Sequence, residues 1–156
     1  MPAWLIFALG TVCCWGAYGT SIHKANDLFK DPSTGAPNPL KTALLVGVAY
    51  FFLAVLIPGL IMWKNGSDWS FPGKATMFGL LAGSLGALGA ICVIYSMKSG
   101  GSPLYVMPII FGCAPLVNVI VSSIANPPQN PISPVFWLGV LVLASGAGMV
   151  LFFQPK

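Results

Sequence analysis

Hydrophobic and polar residues do not alternate along this chain; they are segregated into long blocks. Five predominantly apolar runs stand out, from Ala3 to Ile22, Thr42 to Trp63, Ala75 to Met97, Leu104 to Ile124 and Val135 to Phe153. A helix that crosses a bilayer needs roughly 20 such residues. The pattern therefore predicts an all-α integral membrane protein, with five transmembrane helices forming a single domain over residues 1–156. A β-barrel would instead show strands of about 10 residues with alternating polarity, and these runs are apolar on every side. Short polar or Pro/Gly-rich connectors separate the runs, the longest reaching from Lys24 to Lys41. Every Asp and Lys falls in a connector or at a helix end, as expected where unpaired charge in hydrocarbon is costly. The first run is read as a span rather than a cleaved signal, because it lacks a basic leader and an evident small-residue cleavage site.

Composition strengthens this reading. Of 156 residues, 56% are hydrophobic and 6% charged, against roughly 25% charged in a soluble domain. The net charge of +4 arises from lysines alone. They are spaced singly or in pairs between apolar runs, as membrane-orienting charges are, so no nucleic-acid partner is expected. Lys24, Lys30, Lys41, Lys98 and Lys156 fall on one side, and Lys64 and Lys74 on the other. Five against two favours an outside N-terminus and a cytoplasmic C-terminus in a plasma (inner) membrane. Dual topology is not favoured by that bias.

Candidate chemistry is sparse. Cys13, Cys14, Cys92 and Cys113 lie inside spans with no zinc-like spacing, and there is one histidine; no metal or other cofactor is expected. Asp27, Asp31 and Asp68 are all in connectors, which disfavours coupling through an intramembrane acid. No acid–base–nucleophile set or phosphate-cradling loop is present, so an enzyme is not expected.

Helical faces supply the candidate sites. In the third run Gly79, Ala82, Gly83, Gly86, Ala87, Gly89 and Ala90 share an arc of about 160°, a surface for close helix packing. Opposite lie Ser84, Leu88, Ile91, Tyr95 and Lys98, which either line a cavity or anchor the helix at the interface. In the fourth run Pro108, Phe111, Gly112, Pro115, Asn118 and Ser122 share one face. The prolines remove helical donors for carbonyls near Leu104 and Phe111, a loss tolerated in lipid only beside protein or water. That face is expected to bend and turn toward a polar interior; the alternative is a kinked helix packed on a neighbour. The first run ends in Trp15, Tyr18, Thr20, Ser21, His23 and Lys24, either an interfacial belt or the mouth of a ligand path.

These residues carry a resemblance. WLIFALGTVCCWGAYGTSIHKA, then GLLAGSLGALGAICVIYSMKSGGSPLYVMPIIFGCAPLVNVIVSSI, then FWLGVLVLASGAGMVLFF resemble the helices of the drug/metabolite transporter superfamily, in its EamA-like five-helix half. PLYVMPIIFGCAPLVN is most similar to the sugar-uptake and rhamnose-transport branch. The acidic Gly-Glu pair that often follows the fourth helix there is absent; the place reads IANPPQNPISP. The first helix also lacks the glutamate of the small multidrug-resistance branch, so proton-coupled drug efflux is not implied.

The resemblance implies one half of an inverted-repeat transporter bundle. It would act on a small polar metabolite, sugar-like in class by that branch, and would need a second copy or a paralogue to complete ten helices. Implied substrate contacts are Trp15, Tyr18, Ser84, Asn118 and Ser122, with Tyr95, Lys98 and His23 at the mouth; Pro108, Gly112 and Pro115 shape the helix. The competing expectation is a membrane scaffold or accessory subunit that transports nothing.

Overall fold

The computed structural model describes residues 2–155. Among them, five helices are long and apolar enough to cross a membrane: α1 (Ala3–Leu28), α2 (Pro39–Lys64), α3 (Gly73–Lys98), α4 (Pro103–Ala125) and α5 (Pro134–Phe152). They group into two compact units, residues 1–100 with α1 to α3 and residues 101–156 with α4 and α5.

Local chemistry sets the helix starts. Asn38, Ser102 and Ser133 each precede a proline, and their side-chain oxygens accept from the N–H groups of Leu40, Leu104 and Val135. A polar cap followed by proline suits a helix start, because proline at the first position loses no intrahelical bond. Proline deeper in α2 has another effect. Pro58 cannot donate to the carbonyl four residues back, and the ladder widens into a π turn over Phe52–Leu56, where the Ile57 N–H reaches the Phe52 carbonyl. Such a turn absorbs the missing donor without breaking the helix. Past Lys64 the chain reverses at Gly66, whose φ of +60° is open to glycine but strained for other residues.

In the first unit α1, α2 and α3 touch one another. Its buried apolar side chains are Ile22 of α1 and Ala90, Val93, Ile94 and Met97 of α3. They are joined by two buried polar residues, Asn26 and Thr42. The second unit is the hairpin of α4 against α5, with Ala147 buried. The two helices meet closely at Gly112: a methyl added there would lie 2.6 Å from the Ala147 Cβ. Absence of a side chain lets the two backbones meet, the usual basis of helix contact where lipid is as apolar as the side chains.

Large apolar side chains elsewhere are exposed, including Phe7, Leu44, Phe78, Val142 and Phe152. Soluble proteins seldom expose continuous apolar surface on this scale; five such helices fit a multi-pass membrane protein.

Two expectations require adjustment. The first helix does not end at Ile22 but runs six residues further, through His23, Lys24, Asn26 and Asp27 to Leu28. In α3 the small-residue face packs only at its C-terminal end. Ala90 is buried, while Gly79, Gly83, Gly86 and Gly89 have open space where a methyl would stand.

Candidate functional site

Within the first unit, α1 and α2 run side by side from their common connector. That connector is fastened by the Asn38 N–H donating to the Phe29 carbonyl at 2.6 Å and the Asp31 N–H to the Ala36 carbonyl at 2.8 Å. Asp31 closes its own turn: its carboxylate accepts from the Ser33 hydroxyl and from the backbone N–H groups of Ser33 and Thr34. The Ser33 hydroxyl, followed by those N–H groups, holds the Asp31 carboxyl below the usual carboxylate range.

This register brings Tyr18, Ile22 and Ala25 of α1 beside Thr42, Leu45 and Ala49 of α2. Between them opens a groove of about 250 Å³, lined by Tyr18, Ile22, Ala25, Thr42, Leu45 and Ala49 among others. Its walls are hydrocarbon. The Tyr18 and Thr42 hydroxyls are buried without a hydrogen-bond partner of good geometry, although the Tyr50 phenol lies close to Tyr18. Thr42 is 3% exposed. One turn beyond Ile22, the Asn26 amide donates to the Ile94 carbonyl of α3 at 3.2 Å. Its own carbonyl oxygen is buried and unpaired.

Several candidates from the sequence meet locally. The Trp15 and Tyr18 rings lie 5.6 Å apart. Lys98 Nζ stands 5.7 Å from the centre of the Tyr95 ring, a cation–π distance. His23 Nε2 is 3.6 Å from Asp27 on the next helical turn. On α3, Ser84, Tyr95 and Lys98 are all exposed. No candidate acid, histidine or cysteine group suited to a metal occurs among the described residues.

In the second unit, Pro108 and Pro115 lie inside an otherwise continuous α4. The stripe Pro108, Phe111, Pro115, Asn118 and Ser122 is exposed. The neighbouring stripe, with Gly112, Leu116, Val119 and Ser123, is half-buried. Gly112 thus leaves the polar group with which its helical angle associated it and serves the contact with α5. Thr11, Ser21 and Ser145 donate to carbonyls one turn back in their own helices, the usual way a hydroxyl is satisfied in an apolar helix. Among the described residues Asn118 and Ser122 make no side-chain hydrogen bond.

Sequence reasoning did not single out Asn26 or Thr42. Both lay outside or at the edge of the apolar runs, and their burial depends on which helices flank them. The sequence shows only that each is a neutral polar residue beside a lysine or aspartate; the neighbouring helices decide that it is buried.

In comparisons with known protein families, curated proteins and solved structures, nothing matches this chain.

Proposed function

We propose that the chain is a membrane-embedded carrier for a small polar, uncharged or weakly charged metabolite, completed by a second copy or a paralogue. The observation that carries this reading is the exposed stripe on α4. An asparagine and a serine, with no side-chain hydrogen bond among the described residues, sit on a helix otherwise fit for hydrocarbon, beside two prolines. An unsatisfied amide facing acyl chains costs several kcal/mol, so this stripe belongs against water or another protein rather than lipid. The open small-residue face of α3 supports the same conclusion, since it offers a close-packing surface that the first unit leaves unfilled. In the first unit Trp15 and Tyr18 supply aromatic contacts and Ser84 a neutral hydrogen-bonding group; in the second, Asn118 and Ser122 supply neutral hydrogen-bonding groups. Tyr95, Lys98 and His23 belong to the mouth. The five-to-two lysine bias supports an outside N-terminus in the plasma (inner) membrane.

Two measurements test the reading. Asn118→Cys and Ser122→Cys, each in a C13A/C14A/C92A/C113A background, are expected to react with membrane-impermeant thiol reagents. Purified protein in proteoliposomes is expected to move at least one member of a panel of neutral metabolites. Absence of flux across the panel, with both cysteines protected, refutes the proposal. The second reading is a scaffold or accessory subunit, and one observation favours it: grooves such as those beside Tyr18 and Pro115 are walled almost wholly by apolar side chains. In that case the α4 stripe is covered by protein, and only the complex protects it.

A further inference from the structure

The groove between α1 and α2 has an arrangement that transport does not explain. It follows α2 from Thr42 to Ala49, which at helical rise is about 10 Å. Apart from the hydroxyls of Tyr18, Ser21 and Thr42, its lining is aliphatic. At the connector end two of its lining residues each follow an exposed lysine in the chain: Lys24 directly precedes Ala25, and Lys41 directly precedes Thr42. The carboxylates nearby are engaged elsewhere. Asp27 stands against His23, and Asp31 is held in its own turn by Ser33 and Thr34. Lys41 is near enough to influence Asp31, but among the described residues neither lysine forms an ion pair. Thr42, nine-tenths buried at that end, keeps a hydroxyl without a partner.

Hydrocarbon walls, a neutral hydrogen-bonding group near the connector and two exposed cations without an ion pair, each next to a lining residue in the chain, match one kind of occupant. We propose that the groove holds a single anionic phospholipid. A segment of one of its two acyl chains lies along Ile22, Leu45 and Ala49, its ester region is level with Thr42, and its headgroup is held by Lys24 and Lys41. Lysine stems lie on apolar surface while the ammonium reaches for the headgroup, and each basic residue at a membrane surface favours an anionic lipid by about fivefold. Thr42 answers the ester carbonyl by a rotamer change that turns its hydroxyl into the groove. This inference rests on the membrane placement of the chain but not on transport.

The test begins with recovery of the protein from the membrane fraction in mild detergent; failure at that step overturns the placement itself. The recovered protein is then titrated with equal amounts of phosphatidylglycerol and phosphatidylcholine, and bound lipid is counted by native mass spectrometry. The wild type is expected to retain one phosphatidylglycerol with a preference on the order of tenfold or more over phosphatidylcholine. K24Q/K41Q is expected to bring the two lipids within about twofold of each other. Ala49→Phe fills the groove and is expected to abolish retention of both. Leu45→Trp is the second filler should the first lose helicity by circular dichroism. Equal retention by the wild type and the filled variants overturns the proposal, as does an anionic preference that survives loss of both lysines. A lipid-free dimer that Ala49→Phe dissociates also overturns it, by assigning the groove to a second copy.

Discussion

Replacing Gly112 by alanine puts a methyl where the neighbouring helix leaves no room for it. The new Cβ would stand 2.6 Å from the Ala147 Cβ and 3.5 Å from its Cα. Neither atom can swing aside, since both are fixed to the backbone of a buried helical residue. Ordinary contact begins near 3.4 Å, so α4 and α5 must separate locally by about 1 Å, a gap that forfeits a quarter to a half of each nearby dispersion contact. Overpacking of this kind costs about 1–3 kcal/mol, against a gain of about 1 kcal/mol from removing a glycine inside a helix. The net expectation is destabilisation of up to about 2 kcal/mol. Gly146→Ala in α5 is the internal control: the same chemical change, but with open space around the new methyl, so propensity alone applies and stability stays level or rises. The double variant Gly112→Ala/Ala147→Gly returns the displaced methyl's volume to the interface and should recover most of the loss. Equilibrium unfolding in mixed micelles, followed by circular dichroism, measures all three. Stabilisation by Gly112→Ala to the same extent as by Gly146→Ala, or no recovery in the double variant, would refute the close approach as the organising contact of this hairpin.

Further outcomes follow from the polar residues. Asn26→Asp places a carboxylate where an amide donates to the Ile94 carbonyl, and a buried uncompensated charge is expected to cost about 3 kcal/mol or more at neutral pH; the same unfolding assay reads it, and a stability equal to wild type contradicts the burial of Asn26. Asp31 has a lowered folded-state pKa, so its contribution is present above the ordinary carboxylate range and lost as pH falls through its own lower value. Amide exchange at Ser33 and Thr34 should therefore stay slow down to about pH 4 and quicken below it, and an onset above that range would show that the turn does not hold the carboxylate. The π turn of α2 follows from Pro58, so Pro58→Ala should restore regular helix bonding over Phe52–Leu56 and slow exchange there. Unchanged exchange at those amides would assign the turn to tertiary packing instead.

What the residues alone determined is the count and type of elements. Five blocks of about 20 apolar residues each gave one helix, because hydrocarbon-length apolarity with no internal charge leaves few other backbone solutions. The runs beginning at Leu104 and Val135 start within one residue of the helices at Pro103 and Pro134, and the run beginning at Thr42 starts three residues after Pro39; the end of α1 was further off. There polarity begins at His23 and the helix persists to Leu28, since polar residues end an apolar run without breaking a backbone ladder. Helical angles grouped Gly112 with Pro108 and Asn118, whereas Gly112 sits on the neighbouring, half-buried stripe. Only the partner helix decided that Gly112 meets Ala147 while Asn118 stays exposed. The groove beside Thr42 was equally out of reach, for it is a property of two helices in register, set by the Phe29–Asn38 connector bond. Periodicity fixes which side chains share a face; the neighbour against that face determines which are buried, which are left without partners and which remain open.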